Sequence, residues 1–222
     1  MARLHSDTVA ALLELAGPNA DEILTEMEQR ATREGFPIVG AEVGRTLALC
    51  ARLRGTKTVF ELGSGFGYSA YWIARVLPEE GTITLTGRDA GLLADAEAYF
   101  ERGSLAQKAT FAQGDAITLA REARGPFNLV VLDHNTADYV EGFEAVRDAV
   151  APGGAIIADN VLSTDTEQPL TPAGLEATLS GEPAPNERTR AVAAYFDYVS
   201  HADGFETYAL PVGQGIAVSC RI

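Results

Sequence analysis

The segment Glu61-Leu62-Gly63-Ser64-Gly65-Phe66-Gly67-Tyr68-Ser69 constrains the fold of this chain more than any other. A short apolar run, Thr58 to Leu62, predicts a buried strand, and Tyr68 to Leu77 predicts a helix. Between them Gly63, Gly65 and Gly67 predict a loop. Strand, glycine loop and helix are how open α/β sheets hold a nucleotide-like ligand beyond the carboxyl ends of their strands. Glycine allows the sharp turn and lets a ligand lie against the backbone. The spacing is G-x-G-x-G, not the dinucleotide fingerprint G-x-G-x-x-G, and no Lys-Ser/Thr pair follows to cradle a phosphate. Glu61 at the strand end would repel a pyrophosphate and suits a ligand that carries positive charge. The plain alternative is a structural turn between strand and helix.

The rest of the chain repeats this alternation. Asp7–Ala16 predicts a short helix stopped by Gly17-Pro18, and Asn19 is placed to cap a second over about Ala20 to Arg33. A third spans about Gly40 to Leu53. Strands are then expected at Thr58–Leu62, Thr82–Thr86, Ala109–Ala112, Phe127–Leu132 and Ala155–Ala158. Helices are expected at Ala90–Glu101, Val140–Val150 and Glu187–His201, and a closing pair of strands at Glu206–Leu210 and Gly215–Arg221. Ser163–Pro185, rich in Pro, Gly, Thr and Ser, reads as a loop. Strands alternating with helices imply a mostly parallel sheet covered on both faces, and the final hairpin requires one antiparallel strand. The chain is long enough for one sizeable α/β domain.

Charge narrows the partners. Asp and Glu total 31 against 17 Lys and Arg, a net charge of −14, and Lys57 and Lys108 are the only lysines. Such a surface disfavours nucleic acid, whose binding rests on Lys/Arg contacts to phosphate. In this respect the composition is similar to that of proteins kept soluble at high salt, where self-repulsion is screened. No apolar run reaches the length of a membrane span, and no signal-peptide core stands at the start, so a cytoplasmic protein is expected. Cys50 and Cys220 lack metal-motif spacing and read as core thiols.

Two further strand ends carry chemistry. One reads Val131-Leu132-Asp133-His134 and the other Ile157-Ala158-Asp159-Asn160. Parallel neighbours present their carboxyl ends on one sheet edge, where the glycine loop also lies. Asp133, Asp159 and Asn160 would converge there as hard oxygen donors suited to Mg²⁺ or Ca²⁺. A cation so held can bind adjacent hydroxyls and lower the pKa of one. Each residue alone is ordinary turn chemistry; the combination is what points to a metal.

An acidic residue followed by G-x-G-x-G resembles the Rossmann-like methyltransferases that use S-adenosylmethionine (SAM). From about Pro37 to Ile222 the chain resembles the cation-dependent catechol and caffeoyl-CoA O-methyltransferases. Glu-Leu-Gly-x-x-x-Gly-Tyr-Ser matches Glu61 to Ser69, and Leu-Asp-His matches Leu132 to His134. Ala-Asp-Asn-Val matches Ala158 to Val161, Leu-Pro-Val-Gly-x-Gly-Ile matches Leu210 to Ile216, and the closing Arg-Ile is present.

The resemblance implies a seven-stranded, mostly parallel Rossmann-like sheet with one antiparallel strand and helices on both faces. It implies a single domain over 1–222, with N-terminal helices over 1–54, a SAM-binding core over 55–222 and a lid loop over 163–185. It places metal ligands on Asp133, Asp159 and Asn160. It places SAM contacts on Val39, Gly40, Glu61, Gly63, Gly65, Gly67, Tyr68, Ser69, Asp133 and His134, with Asp115 near the adenine. SAM, a Mg²⁺ ion (or Mn²⁺ or Ca²⁺), a catechol-like small-molecule acceptor and a homodimer follow as expectations.

Three departures from the family pattern stand out. The acid that takes the ribose hydroxyls falls on Gly87, leaving Asp89 as the nearest carboxylate. The lysine general base falls on Thr136, which has no basicity near neutral pH, so the expectation is that the metal ionises the acceptor hydroxyl and that His134 or Asp138 takes its proton. Ala193 and Phe196 stand where the family carries basic and Asn residues, which disfavours a CoA thioester. Two other readings compete. One is a tRNA hydroxyuridine methyltransferase, using Arg30, Arg33, Arg45, Arg52 and Arg54. The other is a binding protein that keeps the fold without catalysis.

Overall fold

The computed structural model describes residues 20–162 and 168–222, together with Leu12 and Leu15. The expected helix Asp7–Ala16 and the first residues of the expected lid lie largely outside them. The elements are α1 (Glu22–Glu34), α2 (Gly40–Leu53), β1 (Thr58–Leu62), α3 (Tyr68–Ala74), β2 (Thr82–Gly87), α4 (Ala90–Arg102) and β3 (Ala109–Gln113). Then follow α5 (Ala116–Glu122), β4 (Phe127–Leu132), α6 (Tyr139–Val146), β5 (Val150–Ala158), α7 (Pro172–Leu179), α8 (Glu187–Ser200), β6 (Phe205–Leu210) and β7 (Ile216–Arg221).

One sheet runs in the order β3-β2-β1-β4-β5-β7-β6. Strands β1 to β5 are parallel, and β7 runs antiparallel to both β5 and β6, so a single strand opposes the rest. The central strands bury both faces, as parallel strands covered by helices must. Val59, Leu129, Val131 and Ile157 pack under α1 to α4 with Trp72, Tyr71 and Phe66. Their sequence neighbours Phe60, Val130, Leu132 and Ile156 pack on the other face with Tyr139, Phe143 and Tyr195. Glu61 shares the face of Val59 by the strand's two-residue alternation, and it is a buried charge in the middle of this sheet.

Several boundaries differ from the sequence expectation for local reasons. Asp21, not Asn19, caps α1, its Oδ1 accepting from Leu24 N at 2.9 Å. Helix α3 stops at Ala74 rather than Leu77. Strand β5 starts at Val150 and absorbs Pro152-Gly153-Gly154, because Val150 pairs with Phe127 across a register shift. The seven-residue α5, capped by Asp115, was not expected. Nor was α7, which sits inside the segment read as loop; Thr171 caps it through Gly174 N, and Pro172 occupies its first turn.

Strand order reverses between β1 and β4, and there the loops beyond both strands open a crevice. Leu62 pairs with Leu132, and Leu132 with Ala158. One residue past these pairs lie Gly63, Asp133 and Asp159, side by side at the sheet edge, tied by Asp133 N to Leu62 O (2.9 Å) and Asp159 N to Leu132 O (3.1 Å). Gly63 has φ +90°, and a Cβ there would lie 2.6 Å from the Asp133 carbonyl oxygen. Only glycine lets the two loops meet so closely.

Candidate active site

A cavity of about 910 Å³ fills this crevice. Of the residues singled out in the sequence, Val39, Gly63, Gly65, Tyr68, Ser69, Asp89, Asp115, Asp133, His134, Asp159 and Asn160 line it. Gly40, Glu61, Gly67 and Thr136 do not. Gly40 and Gly67 instead hold left-handed backbone (φ +79° and +85°) at the starts of α2 and α3.

Glu61 lies beneath the glycine loop, fully buried. Neither carboxylate oxygen makes a hydrogen bond. Burial pushes its pKa up, and the nearby Ser64 and Ser69 hydroxyls offset this only in part. Asp133 is pushed well above the carboxylate range by burial, and further by Asp159 and then Glu61. Burial raises Asp159 to about 6, against the opposing pull of the Asn160 backbone and Arg188, and its Oδ1 has no partner. Two carboxylates thus line one end of a low-dielectric crevice with a third, Glu61, buried beneath it, an arrangement that calls for positive charge.

The walls hold these groups in place. Tyr139 Oη donates to Asp159 O at 2.9 Å. Asn160 takes left-handed backbone (φ 59°), a conformation asparagine tolerates better than most residues. Beyond it Val161 N and Leu162 N donate to Gly215 O and Gln214 O, both at 2.9 Å, so the Leu210–Ile216 motif braces the Asn160 turn. His134 faces the cavity, its ring 5.1 Å from Tyr139. Its Nδ1 is buried without a partner, and burial holds its pKa below the ordinary value. A Cβ at Gly142 would lie 2.7 Å from His134 Cε1, so that glycine makes room for the ring.

At the far end, β2 closes without an acid. The Thr86 hydroxyl donates to Glu61 O at 2.7 Å and accepts from Gly63 N at 3.3 Å. Asp89 is exposed, and its Oδ1 is committed to capping α4 through Gly91 N and Leu92 N. Asp115 caps α5 and pairs with Arg88, which holds its carboxyl well below the usual carboxylate range.

Thr136 sits in a short turn beside Tyr139, outside the cavity. Neither lysine substitutes for it: Lys57 pairs with Glu80 at 2.7 Å and Lys108 donates to Leu77 O at 2.7 Å, both at the amino ends of strands. Trp72, in the helix that follows the glycine loop, is 1% exposed and belongs to the core. Phe66 reaches the cavity and lies 4.9 Å from Phe36.

Sequence reasoning missed four contributors. Glu28 of α1 accepts from Tyr68 Oη at 2.5 Å. Phe36 lines the cavity, Arg88 pairs with Asp115, and Arg188 sits on Asn160. All but Phe36 act through pairings distant in sequence.

This fold and site define a Rossmann-like methyltransferase. A family model described as O-methyltransferase matches residues 16–222, and the chain belongs to that family. It is 32% identical over 148 residues to a catechol O-methyltransferase of Niastella koreensis, spanning 64% of this chain and 67% of the relative. It is 25% identical over 219 residues to a caffeoyl-CoA O-methyltransferase of Populus kitakamiensis, spanning 93% and 89%. Among solved structures, it superposes with a TM-score of 0.81 on the O-methyltransferase TomG of Streptomyces achromogenes in complex with SAM. That pair is 21% identical, with 96% of each chain covered.

Proposed function

We propose that this O-methyltransferase uses SAM as methyl donor and, with a divalent cation at Asp133, Asp159 and Asn160, methylates a catechol-like hydroxyl. The observation that carries the reading is Glu61: a buried carboxylate without a hydrogen bond, beside Asp133, under a glycine loop. A sulfonium and an ammonium group supply the positive charge that this end of the crevice lacks. The catechol and caffeoyl-CoA methyltransferases to which the chain is similar, and the SAM complex of TomG, support the same reading.

The donor set fits a cation. Asp159 offers a buried, unpartnered Oδ1, Asp133 a second carboxylate, and Asn160 an amide oxygen, all hard ligands. Among the described residues no group of three or more His, Cys, Asp or Glu is placed to hold a metal; the proposed set is two carboxylates and the amide of Asn160. A bound cation supplies Lewis acidity that lowers the pKa of an acceptor hydroxyl.

The chain's own residues do the remaining work. Glu61 and Asp133 hold the donor by charge, and Gly63 lets it approach the backbone. In this reading His134, whose pKa burial lowers, takes the hydroxyl proton, since neither lysine lies near the cavity. The cavity's acidity sets it against a polyanion such as tRNA. In this reading α7 (Pro172–Leu179) belongs to the cap over the acceptor side.

Titration calorimetry of SAM in molar KCl, with Mg²⁺ and then with EDTA, tests the reading, followed by methyl transfer to catechol. Micromolar SAM binding with Mg²⁺-dependent transfer is the expected result. No SAM binding in either condition would leave a fold kept without its chemistry.

A further inference from the structure

Arg188 lies in the first turn of α8, where the positive end of the helix dipole disfavours a cation. Its neighbours in that turn do not call for it: Asn186 Oδ1 caps the helix through Thr189 N at 2.7 Å. The guanidinium instead crosses to the β5 loop. One nitrogen, Nη2, donates to Asn160 O at 2.5 Å and to Asn160 Oδ1 at 2.7 Å. Nε is buried and has no partner. Asn160 Oδ1, the third oxygen of the candidate cation site, is therefore already engaged by a positive charge.

We propose that Arg188 is a built-in competitor for the cation site, holding Asn160 Oδ1 until a divalent ion displaces it. The inference rests on the metal assignment made above. Arginine stays protonated at every pH a protein survives, so it cannot release the oxygen by losing a proton. A guanidinium one hydrogen bond from a ligand atom also repels an arriving cation, and little solvent is present to screen it. The side chain must swing away, and with it the contact between α8 and the Asn160 turn is broken. Asn160 gives Arg188 both its backbone and its side-chain oxygen from left-handed backbone.

The test is Mn²⁺ binding to the full chain, read as free Mn²⁺ by electron paramagnetic resonance, without SAM or acceptor. Arg188→Met removes the competing charge, and Arg188→Gln removes it while keeping a donor for Asn160 O. Circular dichroism melting shows that each variant is folded, and Arg188→Gln carries the test if the methionine variant is not. Both should bind Mn²⁺ at least tenfold more tightly than the parent, and the gain should vanish when Asp159→Asn is added. Equal or weaker binding by the folded variants, or a gain that survives Asp159→Asn, overturns the proposal. SAM binding by the parent is measured separately. Its loss would sink the methyltransferase reading while leaving the competition at Asn160 intact.

Discussion

Replacing Glu61 by glutamine separates the cost of a buried charge from its use. In the folded protein the carboxyl is fully buried and unpaired, and its pKa is raised above the ordinary 4.5. In the unfolded chain it titrates at that ordinary value. Below it, both states are protonated and Glu61 costs nothing through ionisation. Above it, the unfolded state sheds a proton that the native state keeps, so native stability falls as pH rises, until the folded pKa is passed. Each unit of that window is worth about 1.4 kcal/mol.

The parent loses that much for each unit of the window and Glu61→Gln does not, which for a chain of this size is about 3–6 °C in Tm per unit. Asp133 and Asp159 are present in both proteins and drop out of the difference while Glu61 is uncharged. The assay is thermal melting of both proteins at half-unit steps from pH 4.5 to about 8. The difference in Tm should open in favour of the variant as pH rises and then level off. In the same variant SAM affinity should fall about 30-fold or more, the size expected when one partner of a buried charge pair is lost. A Tm difference that stays constant with pH would refute the reasoning, since it would mean that Glu61 ionises in the folded protein as freely as in water.

Three other outcomes are expected. Gly44→Ala drives a Cβ to within 2.3 Å of Trp72 Cδ1, and should cost about 1–3 kcal/mol in urea unfolding. Tyr68→Phe breaks the bond to the Glu28 carboxylate, a contact of about 1.5–3 kcal/mol. Hydrogen exchange should then quicken in α1 (Glu22–Glu34) while β1 and β4 stay protected. With a net charge of −14, the Tm should rise between low salt and molar KCl as self-repulsion is screened; a flat or falling Tm would dissociate the acidity from any adaptation to salt.

Strands β1 and β4 were legible to the residue, because each is an apolar run ended by a glycine or an aspartate. The sheet edge that gathers Asp133 and Asp159 followed from their shared position one residue past a parallel strand. Short or weakly amphipathic helices were not legible. Pro172–Leu179 mixes Ala, Gly, Leu, Glu and Thr with no apolar stripe, and its residues are at most half-buried, so periodicity had nothing to report. Pro152-Gly153-Gly154 made the strand begin too late on paper, at Ala155 instead of Val150, since turn residues inside a register shift look like a boundary. The contacts of Glu28 on Tyr68 and of Arg188 on Asn160 span 40 and 28 residues, and no local pattern encodes them. The missing ribose acid and the missing lysine were visible in the sequence, but the side chains around those gaps were not.

The left-handed turn at Asn160 narrows the alphabet open to that position. Glycine, asparagine and aspartate enter this backbone region at least cost, and other side chains are strained there. Glycine would remove the side-chain oxygen and leave Arg188 only the backbone carbonyl. Aspartate would keep an oxygen, add a third acid to the two already crowded beside it, and turn the Arg188 contact into a salt bridge. Asparagine alone offers a neutral oxygen that two rival cations can share in turn. Drift at this one position would therefore select between a locked site and an emptied one, with no gradation in between.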